Sequence, residues 1–282
     1  MGAPAIEALL RRDRYVLLAA VILIAALAWL YLVEFTSHMM PAPGPGAAGP
    51  ASMAGMDMSG MTMPAPGPGP AFLPRWSWSH GAILLGMWTV MMVGMMLPSV
   101  TPMLLIYLRV AQQAAARGYR FVTVGWFTAG YLAAWVLFSL TATAAQGVLE
   151  VRGLMSSMMV TESSRLAGAL LVVVGIFQWT PLKNACLAQC RAPLAFIQRH
   201  GGFQSTAAGS LRLGFIHGLY CIGCCWALMA VLFVAGVMNL LWIAALMVLV
   251  LLEKLVPRGA LVARGAGLAA VACGLWLIAT AV

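Results

Sequence analysis

Seven apolar stretches run along the chain, and each is long enough to cross a lipid bilayer, which takes roughly 20 residues of helix. They lie at about 15–35, 80–97, 121–146, 164–180, 214–237, 240–255 and 260–282. Charged residues make up only 8% of the chain, whereas soluble domains carry about 25%. Backbone groups inside a bilayer must be bonded within their own segment, so such stretches form helices. We therefore predict an all-α, polytopic membrane helix bundle of about seven spans.

The basic residues predict how this bundle is oriented. With the N-terminus inside the cell, thirteen Lys and Arg residues fall in inside segments and three fall outside, as the positive-inside rule describes. The inside residues are Arg11, Arg12, Arg14, Arg109, Arg117, Arg120, Lys183, Arg191, Arg199, Arg212, Lys254, Arg258 and Arg264. An odd number of spans places the C-terminus outside. We expect the net charge of +9 to contact membrane lipid rather than nucleic acid, in a bacterial inner (cytoplasmic) membrane.

The chain divides into three parts. Residues 1–37 form an N-terminal membrane anchor, because their apolar stretch is longer than that of a signal peptide and no small-residue cleavage site follows it. Residues 38–75 are rich in Pro, Gly, Ala and Met, a composition that predicts a disordered loop on the outside. Residues 76–282 then form a six-span domain.

The external loop contains candidate copper ligands, among them Met56, Met58 and Met61. Thioether sulfur is a soft ligand that selects Cu(I), and it withstands an oxidising compartment in which free thiols pair. The run from Met53 to Met63 resembles the methionine-rich tracts of periplasmic copper-handling proteins. That resemblance implies capture of copper from a periplasmic donor, while a low-complexity linker is the alternative.

The second span offers a possible continuation of this sulfur path. Met87, Met91 and Met95 repeat every fourth residue, and His80 precedes them on nearly the same face. These four residues are candidate metal ligands, although a methionine stripe at helical spacing also suits core packing. Two prolines near the end of this span are expected to kink or break the helix, an interruption that often lies beside transporter binding sites.

None of the six cysteines falls in a predicted external loop, so we interpret them as thiols rather than as a disulfide framework. Cys186 and Cys190 are four residues apart and share one helix face. Nearby Lys183 and Arg191 are expected to favour their thiolates. Two thiolates suit linear Cu(I), whereas tetrahedral zinc would need further ligands, for which His200 or His217 are candidates.

The fifth span carries the strongest candidate site. His217, Cys221, Cys224 and Cys225 lie at helical spacing inside an apolar stretch, where hydrocarbon solvates no polar group, so a metal-binding role is expected. Further along the chain, we expect Lys254 to extend to the lipid head groups. Its neighbour Glu253 is expected to pair with a basic residue or to couple proton movement. Cys273, alone among small residues, is interpreted as a buried apolar side chain.

Four sequence blocks together resemble a family of bacterial integral membrane proteins of unknown function that are described as predicted metal-binding. The blocks are the methionine block that ends at Pro98, the Pro181 to Cys190 block, the Cys221 to Trp226 block and the Glu253–Lys254 pair. The resemblance covers about 76–279 and implies metal binding, without a direction of movement.

The sequence is compatible with three functions. The first is a non-enzymatic Cu(I) protein that acquires, transfers or transports the ion across the membrane by exchange from Met to Cys ligands. The chain contains no phosphate-binding G-x-x-x-x-G-K-[ST] motif, so we expect no ATP hydrolysis. The second is a membrane thiol oxidoreductase that uses Cys221 and Cys224, similar to the vitamin K epoxide reductase type. The third is a non-catalytic subunit of a larger membrane complex. The oligomeric state is left open.

Overall fold

A computed structural model describes residues 3–39, 77–116, 124–154 and 163–281, and every regular element within these ranges is a helix. The predicted all-α class is therefore confirmed for the part of the chain that the structure describes. The helices are α1 (Ala3–Met39), α2 (Trp78–Ala116), α3 (Val124–Val151), α4 (Ser164–Phe177), α5 (Pro181–Arg191), α6 (Pro193–Arg199), α7 (Ala207–Ala230), α8 (Leu232–Ala235), α9 (Leu240–Leu255) and α10 (Gly259–Thr280).

By length and composition, five of these helical segments can cross a membrane: Arg12–Ser37, Trp78–Ala114, Val124–Val151, Ala207–Ala235 and Gly259–Thr280. A sixth arises if α4 and α5, which are bent by 62° at their break, count together as one span. The difference from the predicted seven lies in α9. Its 16 residues extend only about 24 Å, less than the roughly 30 Å of a hydrocarbon core. Several long apolar helices are compatible with a multi-pass membrane protein.

The N-terminal helix α1 packs against α2 along one side. Near one end Gln112 Nε2 donates a hydrogen bond of 2.8 Å to Asp13 Oδ2, and further along Gly94 allows close contact with Ala28. On its other faces α1 exposes large apolar side chains such as Ile22 and Leu30. Exposed apolar residues in this number suit contact with lipid rather than with water.

Glycines allow two helix pairs to approach closely. Between α3 and α7, a Cβ on Gly214 would meet the carbonyl oxygen of Phe127. Between α4 and α10, a Cβ on Gly168 would lie 2.6 Å from Gly274 O, and one on Gly175 would lie 2.6 Å from Gly267 O. Packing through small residues is the usual means by which helices associate in membranes.

Capping residues and prolines in the sequence determine where α5, α6 and α7 begin. Thr180 caps α5 by accepting a hydrogen bond from Lys183 N, and Pro181 starts that helix. Pro193 likewise starts α6, and Thr206 caps α7 through Gly209 N. These caps and prolines place α5 and α6 beside the buried face of α7.

The two prolines of α2 were expected to kink or break the helix. A break does not occur, because α2 continues through Pro98 and Pro102 as one helix. The predicted external loop lies almost wholly outside the described residues, together with its candidate ligands Met56, Met58 and Met61.

Candidate metal centre

Helix α7 places three thiols in the centre of the bundle. Cys221, Cys224 and Cys225 are each only 1% exposed. The Cys224 and Cys225 thiols donate hydrogen bonds of 3.0 and 2.9 Å to the carbonyl oxygen of Cys221. Both side chains therefore turn back towards the Cys221 position, so the three thiols lie within one turn of helix.

A fourth thiol comes from α5. The side chain of Cys190 lies close to those of Cys221 and Cys224, and it lines the same cavity as Cys221. Cys186, one turn earlier, faces the same helix, because a Cβ built on Gly223 would lie 2.8 Å from its sulfur. The thiols of the two sequence blocks, which are separated by some thirty residues in the chain, thus meet at the interface between α5 and α7.

A buried ammonium group lies against these thiols. Lys254 Nζ is 2.9 Å from Cys221 Sγ and 3.0 Å from Ser99 Oγ, and the residue is 7% exposed. The expectation that Lys254 extends to the lipid head groups was therefore wrong. Tyr131 completes the surroundings of Cys221, with its hydroxyl 3.2 Å from the same sulfur and 3.2 Å from Met96 O.

The two basic residues that were expected to act on the α5 thiols have other partners. Lys183 is fully buried and donates to Glu253 Oε2 over 2.7 Å and to Gln178 Oε1. The Arg191 guanidinium donates to the carbonyl oxygens of Val256 and Pro257, at 2.8 and 2.6 Å. The predicted pairing of Glu253 with a basic residue is confirmed, whereas the predicted effect of Lys183 and Arg191 on Cys186 and Cys190 has no support in these contacts.

A cavity of about 260 Å³ opens beside the thiols, and we call it the thiol cavity. Ser99, Pro102 and Met103 of α2 form part of its wall, in the segment where the prolines were expected to disturb the helix. Cys190 and Cys221 both line the thiol cavity, so cysteines from two different helices border one space. The other polar residues on its wall are Ser99, Tyr131, Arg191, His217 and Lys254, and Met103 adds a thioether.

Among the described residues, no group of three or more His, Cys, Asp or Glu side chains is arranged to hold a metal ion. In the arrangement shown, His217 and the α7 cysteines do not present the four ligands that zinc takes in structural sites. Two thiolates are sufficient for Cu(I), a soft ion that thiolate ligands select. Cys190 and Cys221 on one cavity wall meet that smaller requirement.

His217 is buried, at 3% exposure, and its Nδ1 atom has no hydrogen-bond partner among the described residues. A buried polar atom without a partner is costly unless a ligand or water satisfies it. The ring lines the thiol cavity. One of its two nitrogens therefore remains free to coordinate an ion there.

The candidate ligands in the second span do not line the thiol cavity. Met87, Met91 and Met95 are fully buried in the core, and none of them lines the thiol cavity. His80 contacts Glu150, with 3.1 Å between Nε2 and Oε2. Glu150 in turn accepts from Gln146, which accepts from Trp88 Nε1. These contacts fix the α2–α3 interface near the start of α2.

Sequence reasoning missed Tyr131, Ser99 and the role of Lys254. The only signal for Lys254 was a charged residue within an apolar stretch, and that signal was interpreted as a contact with the membrane surface. Cys273 was also misjudged, because it is exposed on α10 rather than buried. In the sequence, Cys273 also lies far from every other cysteine.

Comparison with known proteins identifies the family. A family model described as "PpoB2: Copper chaperone" matches residues 85–277, which is more than half of the chain and includes all the thiols of the site. The match begins within α2, so it does not include α1 or the predicted external loop. No curated protein and no solved structure shows significant similarity to the chain. The family match and the buried thiols support a role that is related to copper. The chain belongs to the PpoB2 family of copper chaperones.

Proposed function

We propose that this protein carries Cu(I) within the membrane and holds the ion in the thiol cavity between Cys190 and Cys221. The observation that carries this proposal is the contact of Cys221 Sγ with the buried Lys254 ammonium, 2.9 Å away, beside a second thiol on the same cavity wall. The family description, copper chaperone, agrees with it.

The charges at this site suit a bound Cu(I) ion. Copper binds thiolates and not thiols, so loading releases the thiol protons. A Cu(I) ion between two thiolates carries one net negative charge, which a low-dielectric interior tolerates only when it is paired. Lys254 supplies the opposite charge. Its neighbour Glu253 already pairs with Lys183 over 2.7 Å, so Lys254 remains the cation that faces the thiols.

We further propose that the ion is passed along the chain by ligand exchange, from thioethers at the outer side to the thiols. Met56, Met58 and Met61 would collect copper from a periplasmic donor, and His80 with Met87, Met91 and Met95 would receive it. Thiolates bind Cu(I) more tightly than thioethers do, so the gradient of ligand strength favours inward movement. The position of the thiols on α5 and α7 supports this proposal, because none of them falls in a predicted external loop.

The test is retention of copper by purified protein. Wild type and the variants Cys190→Ser and Cys221→Ser are loaded anaerobically with Cu(I), passed through a desalting column and analysed by elemental mass spectrometry. We expect one copper per wild-type chain and loss of that copper in both variants. Cys273→Ser is the matched control, because its thiol is exposed on α10 and should leave retention unchanged. Equal retention by all four proteins would contradict the proposal.

A second candidate function is that of a membrane thiol oxidoreductase, and the contact of Cys190 with Cys221 and Cys224 favours it. In that case two thiols would join as a disulfide, and a quinone would accept the two electrons and two protons as it becomes a quinol. Peptide mapping after addition of a soluble quinone tests this possibility. A disulfide between Cys190 and an α7 cysteine, formed in step with quinol, would support it. Unchanged free thiols would exclude it.

A further inference from the structure

We propose that His217 and His200 form a transfer route by which Cu(I) passes between the thiol cavity and a second cavity at the surface end of α7. This inference rests on the proposed function and adds to it the path that the ion follows. Three observations carry it: the free nitrogen of His217, the contact of Phe196 with both imidazoles, and the hydrogen bond that orients His200.

The inner end of the route is His217. It lies one helical turn before Cys221 on the same face of α7, and both residues line the thiol cavity. Its Nδ1 atom is buried without a hydrogen-bond partner among the described residues. Imidazole nitrogen binds copper, so an ion that leaves Cys221 finds a ligand on the next turn.

Phe196 of α6 contacts both histidines. Its side chain is fully buried, and its ring centroid lies 4.9 Å from that of His217 and 4.4 Å from that of His200. The two imidazoles are therefore no further apart than these two distances combined. Tyr220 packs against both Phe196 and His200 and closes the side of this cluster.

His200 is oriented as a ligand. Its Nδ1 lies 2.8 Å from the carbonyl oxygen of Phe196, so in the tautomer that donates this bond the lone pair is on Nε2. Histidines that bind metals commonly donate their other ring N–H to a backbone carbonyl in this way. The bond also ties His200 to Phe196, the residue that contacts both rings.

His200 lines a second cavity, of about 250 Å³, which we call the His200 cavity. Gln204, Gly209 and Arg212 share its wall, and Arg212 is exposed, so the cavity reaches the surface. A thiol or chelator from the aqueous phase could take the ion from His200 there. Because imidazole holds Cu(I) less tightly than thiolate, the two histidines suit passage rather than storage.

Stopped-flow transfer of Cu(I) tests this route. Copper-loaded protein in lipid nanodiscs is mixed with bathocuproine disulfonate, a charged chelator that is excluded from the apolar core, and the rise in absorbance of the Cu(I) complex is followed. We expect His200→Leu to slow transfer about tenfold or more, a change of roughly 1.4 kcal/mol in the barrier. Copper retained before mixing should not change, because Cys190 and Cys221 are intact.

Two further variants separate a ligand role from a packing role. His200→Met supplies another Cu(I) ligand of similar length, and we expect it to recover most of the wild-type rate. Phe196→Leu replaces the ring that packs against both imidazoles with a smaller side chain, so transfer should become faster than in wild type. If His200→Leu and His200→Met slow transfer equally, the ring acts only in packing and the inference is wrong.

The outcomes also separate this inference from the proposed function. A wild-type protein that retains no copper overturns both. Retained copper whose transfer rate is the same in wild type, His200→Leu and Phe196→Leu overturns the route alone. In that case the ion would leave on the other side of the thiol cavity, between Arg191 and Leu255, which also line it.

Discussion

At the scale of single residues, a positive charge in the core is the feature that most clearly separates this site from ordinary packing. Lys254 is buried and contacts Cys221 Sγ and Ser99 Oγ, with no carboxylate as its direct partner in the described structure. Removing an ammonium group from water costs several kcal/mol unless an opposite charge compensates it. A copper dithiolate with one negative charge provides that compensation. The ammonium of Lys254 is therefore paired with an opposite charge once copper is bound.

Lys254→Met should therefore lower the affinity for Cu(I), because the anionic complex loses its counter-charge. We expect a loss of about 10–100-fold, as for other residues that support metal ligands. Competition with chelators of known affinity measures it. Lys254→Arg keeps the charge and should bind copper more tightly than Lys254→Met does. Equal affinity of Lys254→Met and wild type would show that the ammonium does not stabilise the complex.

At the scale of helices, α5 is held at both ends, and this fixes the position of Cys190. Lys183 near its start forms a buried ion pair with Glu253 of α9, over 2.7 Å. Arg191 at its end bonds the carbonyl oxygens of Val256 and Pro257, just beyond α9. Cys190 lies between these two attachments and next to α7. The ion pair thus positions the Cys190 thiol and does not itself bind the metal.

The variant Glu253→Gln tests this positioning. It leaves Lys183 charged and buried without its partner, so we expect a loss of about 3–5 kcal/mol in the free energy of unfolding. The double variant Lys183→Met/Glu253→Leu removes both charges and should be markedly more stable than Glu253→Gln. Denaturant titration in mixed micelles measures both proteins. If the single and double variants are equally stable, the charges do not interact as the structure indicates.

The pairing of α4 with α10 gives a second prediction for helices. Gly168→Ala would add a Cβ that lies 2.6 Å from the backbone of Gly274, so the helices must separate. We expect a destabilisation of about 1–3 kcal/mol and a lower midpoint of thermal unfolding. Gly265→Ala on α10 is the matched control, because nothing lies within 4 Å of its added Cβ. Identical midpoints for the two variants would argue against close packing at Gly168.

At the scale of the whole molecule, the sequence predicts the class of fold and the central thiols but not how they are brought together. Apolar stretches and the spacing from His217 to Cys225 are local patterns, and local patterns are readable from one sequence. The contact of Cys190 with Cys221 depends on the bend between α4 and α5. Lys254 and Tyr131 reach the site from separate helices. Which helices contact one another depends on tertiary packing, for which a single sequence contains no direct signal.

The orientation of the bundle is also a property of the whole molecule. From the distribution of Lys and Arg we expect the N-terminus inside and the C-terminus outside, which requires α9 to cross the membrane despite its 16 residues. Lys183 and Lys254 are buried, so two of the thirteen inside charges do not face water. Alkaline phosphatase fused after residue 282 is active only outside the inner membrane, and we expect an active fusion. An inactive but expressed fusion would place the C-terminus inside.

The central claim is that Cu(I) is held between two cysteine sulfurs in the thiol cavity, and X-ray absorption at the copper K-edge tests it most directly. For the anaerobically loaded wild-type protein we predict a Cu(I) edge and a first shell of two sulfur atoms. Cys221→Ser should lose this shell, while Cys273→Ser should retain it. A first shell made only of nitrogen or oxygen, or a two-sulfur shell that persists in Cys221→Ser, would contradict the account.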